Sequence, residues 1–245
     1  MQCPICNGQA KMLDVVDFNK SCEEARGKFL PLSGIPVYYF QCSQCFFAFA
    51  PEFEKWTENE FFEKIYNDEY VQVDPDYLEA RPLSNFNVLK QIFGDKKKYI
   101  KHLDYGGGNG KLSQRLKEDG WDSETYDPFP STSTTIKDLG KFNLITAYEV
   151  FEHVPDVNVL MKNLTDVMST ECLILFSTLV SDGNIKTNNR INWWYASPRN
   201  GHISLFSKQS LIVLGSRYNL NFGSFNDGLH SYFTQVPSWA KHLMQ

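Results

Sequence analysis

Three groups of residues in this chain have types and spacings that can do chemistry. Cys3-Pro4-Ile5-Cys6 and Cys42-Ser43-Gln44-Cys45 are two C-x-x-C pairs. Four thiolates on two such knuckles, Cys3, Cys6, Cys42 and Cys45, suit a tetrahedral zinc ion and close its coordination shell. The expected role is structural, because no position remains for water or substrate. The interval between the pairs is about 35 residues, longer than the compact spacing of about 15–20, which only lengthens the loop between knuckles. A disulfide pair and a redox C-x-x-C are the competing readings. The first needs an oxidising compartment, and the second needs a knuckle that opens a βαβ unit, which neither does. The second group is Leu103-Asp104-Tyr105-Gly106-Gly107-Gly108-Asn109-Gly110, a glycine-rich turn with a carboxylate at its mouth. Glycines let backbone approach a ligand closely, and a following helix offers unpaired N–H groups. The third is Glu149-Val150-Phe151-Glu152-His153, with His202 further along in Arg199-Asn200-Gly201-His202. Two carboxylates and an imidazole can take a proton from a bound group.

The surrounding patterns say which elements must position these groups. Tyr99 to Leu103 reads as a strand running into the glycine turn, and Lys111 to Glu118 reads as the helix leaving it. Ser123 to Tyr126 is a second short strand, closed by Asp127-Pro128. An apolar strand from Phe142 runs into the Glu149 cluster, the amphipathic stretch Val157 to Val167 follows, and Cys172 to Leu179 is another apolar strand. Strands alternating with helices make a doubly wound α/β sheet, in which ligands bind at the carboxyl ends of the strands. Pro128 to Lys141 is rich in Ser, Thr and Pro, so loop chemistry dominates that stretch. Leu83 to Phe93 and Ser207 to Arg217 read as helices, and Leu220 to Phe225 with His230 to Gln235 as a terminal antiparallel pair. A dinucleotide fingerprint would space its glycines as G-x-G-x-x-G, and Lys111 stands where the third would fall.

With these residues in order, the chain resembles the class I S-adenosylmethionine-dependent methyltransferases, with a zinc-ribbon-like module before them. Leu103 to Gly110 is similar to that family's first motif, with Asp104 at its acidic position and Gly106, Gly108 and Gly110 at its glycines. Tyr105 lies within it. Asp127-Pro128 resembles the acidic position after the second strand, whose carboxylate accepts from ribose hydroxyls. Asn143 to Val154 is similar to the fourth-strand motif in its Glu-Val-x-Glu-His form. The resemblance implies a Rossmann-like, mostly parallel sheet with a terminal antiparallel strand, and S-adenosylmethionine as donor. It also implies that the segment before the first strand folds over the cofactor. Tyr70 and Arg81 are then candidates for the donor's methionine end, against a packed tyrosine and a surface arginine. The Glu-x-x-Glu-His spacing resembles the metal site of small-RNA 2′-O-methyltransferases and ubiquinone-pathway O-methyltransferases. A second divalent ion at Glu149, Glu152 and His153, with His202 as a later ligand, is therefore open beside the reading of Glu152 or His153 as a general base.

The expected organisation is a zinc module over residues 1–52, a helical cap over 53–97 and a catalytic domain over 98–245. An acceptor lid is expected near 181–206. Ser181 to Asn200 carries Asn188-Asn189-Arg190 and Trp193-Trp194-Tyr195, whose rings would either stack on an acceptor or form the lid's own core. The aromatics flanking the second knuckle have the same two readings. Composition is that of a globular enzyme: 245 residues, 42% hydrophobic and 22% charged. A net charge of −5 argues against broad nucleic-acid binding, which needs basic surface. A small molecule, nucleotide-linked sugar or glycan-type acceptor fits better than RNA, and a non-catalytic donor-binding module is a third class. No apolar run approaches the roughly 20 residues of a membrane span, and Met1-Gln2-Cys3-Pro4 begins no leader pattern. A cytoplasmic setting is expected, with no membrane partner.

Overall fold

The computed structural model describes residues 1–129, 135–186 and 189–244. In chain order the elements are β1 (Ala10–Asp17), β2 (Pro36–Cys42), β3 (Ala48–Phe49), α1 (Glu58–Lys64), α2 (Tyr70–Val73) and α3 (Ala80–Phe93). β4 (Lys101–Tyr105), α4 (Lys111–Glu118), β5 (Asp122–Tyr126), β6 (Phe142–Tyr148), α5 (Val157–Asp166) and β7 (Met168–Ser177) follow. β8 (Ser204–Leu205), α6 (Lys208–Arg217), β9 (Asn221–Ser224) and β10 (Leu229–Phe233) complete the chain. These elements form two compact units. One is assembled from Met1–Pro75, Phe151–Asn158 and Thr178–Leu214, the other from Asp76–Val150, Val159–Ser177 and Gly215–Gln245.

The first unit is built on a four-stranded antiparallel sheet in the order β1-β2-β3-β8. Val37 and Tyr39 of β2 point inward while Tyr38 between them is exposed, the period-two pattern of a half-buried strand. β3 pairs with β8 through Ala48–Leu205 and Phe49–Ser204, so residues that follow β7 by a long interval close the sheet begun at the N-terminus. Their shared core takes Tyr39 and Phe53 from the N-terminal side and Trp193, Tyr195 and Ile203 from the later segment. A register shift between Met12 and Asp14 turns the Asp14 carboxylate inward. There it accepts from the Ile191 N–H at 2.7 Å and the Arg190 Nε–H at 2.9 Å. α1 starts at a capping box in which Thr57 and Glu60 exchange side chain and backbone bonds.

The second unit is a six-stranded sheet in the order β5-β4-β6-β7-β10-β9. β5, β4, β6 and β7 run parallel, and β10 and β9 add antiparallel to β7. β4 and β6 are buried along most of their length, as central parallel strands covered on both faces must be. Leu112 and Leu116 of α4, one turn apart, are buried with Leu89 and Phe93 of α3. The expected mixed sheet with an antiparallel end is present. Among the described residues between β5 and β6 there is only a 3-10 turn, Ile136–Leu139, and no strand. Residues 130–134 of that stretch, and Asn188 of the expected lid, lie outside the described residues.

Candidate active site

In the second unit the turn after β4 makes a cradle. Gly106, Gly108 and Gly110 all have positive φ, and α4 begins directly after Gly110. Gly107 is required for a different reason: a Cβ there would begin 2.2 Å from Thr125 Oγ1 and 2.5 Å from Asp104 Oδ2. A side chain on Gly108 would meet nothing within 4 Å, so this part of the turn borders open space. The Gly108 N–H donates to Asp127 Oδ2 at 2.7 Å, and the Phe129 N–H donates to Oδ1 at 2.8 Å. Each carboxylate oxygen keeps a further lone pair for a ligand hydroxyl. Burial raises the Asp127 carboxyl, and the two N–H bonds oppose that. Asp104 is 4% exposed and accepts from Thr146 Oγ1 at 2.8 Å. Burial pushes it up to about 7, helped by the neighbouring Asp127 charge. An open, glycine-lined turn between two acceptor carboxylates fits the cationic methionine end and ribose of S-adenosylmethionine. Glu149, at the end of the same sheet, sits at φ +52, a costly left-handed geometry for a residue with a side chain. Its Oε1 accepts from Ser177 Oγ at 2.6 Å, and its N–H donates to the same oxygen at 2.8 Å.

In the first unit a second constellation forms. Glu152, His153 and His202 bring one ligand atom each to within 4.8 Å of one another. Glu152 is fully buried, and its Oε1 accepts from the Tyr195 hydroxyl at 2.6 Å. His153 Nε2 lies 4.0 Å from the same oxygen, and His153 Nδ1 lies 3.2 Å from the Tyr66 hydroxyl. His202 Nδ1 lies 2.8 Å from the Tyr195 carbonyl, which can only accept. The proton of His202 therefore sits on Nδ1 and the lone pair on Nε2. Burying a carboxylate this deeply is costly without partners, so the surrounding tyrosine and imidazoles are part of its design.

The four paired cysteines also converge. Cys3 Sγ is 3.6 Å from Cys45 Sγ, and Cys6 Sγ is 3.4 Å from Cys42 Sγ. Tetrahedral thiolates around zinc at about 2.3 Å stand roughly 3.8 Å apart, so these donors fit that ion. At this range the thiols share protons: the Cys45 contact draws Cys3 down to about 5 while Cys45 is driven up. The second knuckle is tied to its own unit by Ser207 Oγ–H, which donates to the Cys45 carbonyl at 2.6 Å, and by Phe47 packed on Phe206.

The structure thus gathers Asp104, Tyr105, Gly106, Gly108, Gly110 and Asp127-Pro128 around one turn, and Glu152, His153 and His202 around another. Arg81 lies in the second unit near the start of α3. Tyr70 lies in the first, 8% exposed, with its hydroxyl 3.4 Å from the Asn200 carbonyl. Trp193 and Tyr195 are core residues rather than exposed stacking rings; Trp194 alone of the three is open to solvent. Spacing gave no sign of Tyr66, Thr146 or Ser177, each of which meets its site from a distant part of the sequence. If Asp127 holds the donor ribose, Asp127→Ala should weaken S-adenosylhomocysteine binding by roughly 1–3 kcal/mol in calorimetry. Unchanged affinity would remove the residue from the site.

A model of the methyltransferase domain matches residues 77–223. That interval is more than half of the chain, and the chain belongs to this methyltransferase family. No curated protein matches it by sequence. Among solved structures it is similar to the plantazolicin methyltransferase BpumL in complex with a pentazolic desmethylPZN analog and SAH. The identity there is 12%, over 76% of this chain and 97% of that one, with a TM-score of 0.51. The pyocyanin biosynthetic protein PhzM is 9% identical over 73% of this chain and 62% of its own, with a TM-score of 0.51. The mitomycin 7-O-methyltransferase MmcR is 9% identical over 73% and 60%, also at 0.51. At such identities the likeness is one of fold. Family and fold together make this protein an S-adenosylmethionine-dependent methyltransferase. Among the described residues no helix is long and apolar enough to cross a membrane.

Proposed function

We propose that this enzyme methylates an oxygen of a small molecule, sugar or natural-product intermediate, and that Glu152, His153 and His202 handle the acceptor. The observation that carries this reading is the buried cluster itself. Three proton-accepting or ion-holding groups lie within 4.8 Å of one another, reached by the chain four residues after β6 ends. The donor supplies an activated sulfonium methyl. Asp104, Asp127 and the turn at Gly106 to Gly110 hold it, with Tyr105, Pro128, Glu149, Tyr70 and Arg81 as further proposed contacts. The acceptor oxygen attacks the methyl carbon in line as the carbon–sulfur bond breaks and its electron pair stays on sulfur. The acceptor's proton passes to His153, which Tyr66 orients through Nδ1. The fold neighbours, a plantazolicin methyltransferase, a pyocyanin biosynthetic protein and a mitomycin 7-O-methyltransferase, support a natural-product acceptor, and the net charge of −5 counts against nucleic acid.

A second reading of the same cluster has its own support. A carbonyl fixing the Nδ1 proton of His202 is the arrangement by which metal-binding imidazoles are oriented. Glu152 and the two histidines would then hold a divalent ion that lowers the acceptor's pKa. Zinc at Cys3, Cys6, Cys42 and Cys45 belongs to the proposal too, as a structural ion, in a cytoplasmic setting where thiols stay reduced. Residues 1–52, 53–97 and 98–245 are its thiolate, cap and catalytic segments, with the acceptor segment near 181–206.

His153→Ala and metal removal together separate these readings. With His153 as base, turnover on an acceptor pool that the unaltered enzyme methylates should fall about 10²–10⁴-fold while S-adenosylhomocysteine affinity stays unchanged. With an ion in the cluster, a chelator should abolish turnover and magnesium or manganese should restore it, while one zinc per chain remains by metal analysis. Full turnover after both treatments would leave the cluster without a role in transfer.

A further inference from the structure

One file of buried polar side chains in the second unit ends on Asp104, and its other members, Ser123, His102 and Thr146, have no role in the transfer as described. Ser123 Oγ lies 2.8 Å from His102 Nδ1, His102 Nε2 lies 2.9 Å from Thr146 Oγ1, and Thr146 Oγ1 lies 2.8 Å from Asp104 Oδ1. His102 and Thr146 have no exposure, and Ser123 has 1%. The strand register builds the file: His102 pairs across to Ser123 on β5, and Asp104 pairs across to Thr146 on β6. His102 and Asp104, two residues apart on β4, share a face. An imidazole in the middle of a parallel sheet costs more than an aliphatic side chain would, unless both nitrogens are satisfied, as they are here. The far end of the file is the donor cradle. Asp104 Oδ2 lies 2.5 Å from where a side chain on Gly107 would begin.

We propose that His102 and Thr146 are positioning residues for the methyl donor: their hydrogen-bonded file holds the Asp104 carboxyl at the glycine turn, and its direction follows the charge of Asp104. This rests on the reading of Asp104 as a donor contact. Burial keeps His102 neutral, down to about 3, so the imidazole carries one proton. With Asp104 ionised, only one direction is consistent. Ser123 donates to Nδ1, the Nε2–H donates to Thr146, and Thr146 donates to the carboxylate. With Asp104 protonated on Oδ1, the oxygen that faces Thr146, the file runs the other way: Asp104 donates to Thr146, Thr146 to Nε2, and the Nδ1–H to Ser123. The two states differ by one proton, exchanged with solvent. The titratable groups that face Asp104 are His102 on its own strand, Asp127 after β5 and Tyr148 on β6. A bound cationic donor favours the ionised state and so the Nε2–H tautomer.

The test combines donor affinity with the state of one histidine. Thr146→Val keeps shape and removes the hydroxyl. It should weaken S-adenosylhomocysteine binding about tenfold at pH 8, where the lost bond is to a charged acceptor. Thr146→Ser keeps the hydroxyl and should stay within about threefold of the unaltered enzyme. Nitrogen-15 spectra of the unaltered protein should show His102 protonated on Nε2 at pH 8.5 and on Nδ1 at pH 5.5. Saturating S-adenosylhomocysteine should extend the Nε2–H form to lower pH. Equal affinity of Thr146→Val and the unaltered enzyme, or one tautomer at every pH with and without ligand, would overturn the proposal. Asp104→Asn marks which premise failed. If it binds S-adenosylhomocysteine normally, the donor reading of Asp104 falls and the file's role with it. If it binds weakly while Thr146→Val does not, only the positioning role is lost.

Discussion

Cys42→Ser is expected to strip the metal from the N-terminal thiols and unfold the unit that contains them. Metal analysis of the unaltered chain should find about one zinc, and the variant should hold none. Small thiolate modules gain on the order of 10–16 kcal/mol from zinc, as much as a typical domain's whole net stability of about 5–15 kcal/mol. Hydrogen exchange should therefore lose protection across β1, β2, β3 and β8, while the parallel strands β4, β6 and β7 keep theirs. Turnover should fall with that loss even though the four paired thiolates have a structural role in the proposal. Glu152, His153 and His202 sit in the same unit as the thiols, and β8 closes its sheet against β3. A zinc-free native chain with normal protection in β1 and β2 would contradict the assignment.

Asp104→Asn should make the ligand-free protein more stable at neutral and alkaline pH while weakening its hold on the donor. Burial raises this carboxyl from its ordinary 3.8 to about 7. Between those values the folded chain binds more protons than the unfolded one, so stability falls as pH rises. The native acid's favourable share is fully present below about pH 4 and is lost as pH climbs toward 7. Above that the ionised side chain costs on the order of 2–4 kcal/mol, which the neutral amide avoids. Thermal unfolding of the two proteins at pH 5 and pH 8 reads this directly. The gap should be small at pH 5 and should widen at pH 8. A gap that is constant with pH, or that reverses, would show that Asp104 is not held against its charge. Such a carboxylate is poised for a cation, and S-adenosylmethionine brings two.

Much of the catalytic frame is legible in the sequence. Strand-to-glycine-turn-to-helix is a local pattern, and so are the apolar runs of β6 and β7 and the terminal pair β9 and β10. Local patterns are carried by residues a few positions apart, where periodicity and turn chemistry act. The two C-x-x-C pairs were legible for the same reason: a knuckle is a short-range motif, and only its pairing is long-range. The Glu149, Glu152 and His153 spacing announced a site but not its membership. Glu149 is engaged by Ser177, while His202 completes the trio with Glu152 and His153.

What the sequence determined by itself was therefore the class of fold, the glycine turn with its two carboxylates, and the thiolate pairs. Tertiary structure alone decided three further things. The segment after β7, read as a lid, is packed with the thiolate module through Trp193, Tyr195 and the β3–β8 pairing. Tyr195, a stacking ring or a core ring by sequence, is a buried donor to Glu152. His102, an unremarked residue in a strand, joins Ser123 and Thr146 in a file that ends on Asp104. The physical reason is the same in each case. Which side chains meet across a sheet depends on strand order and register, and a shift of one residue turns every side chain to the other face. Those are properties of the assembled chain, and no spacing along it records them.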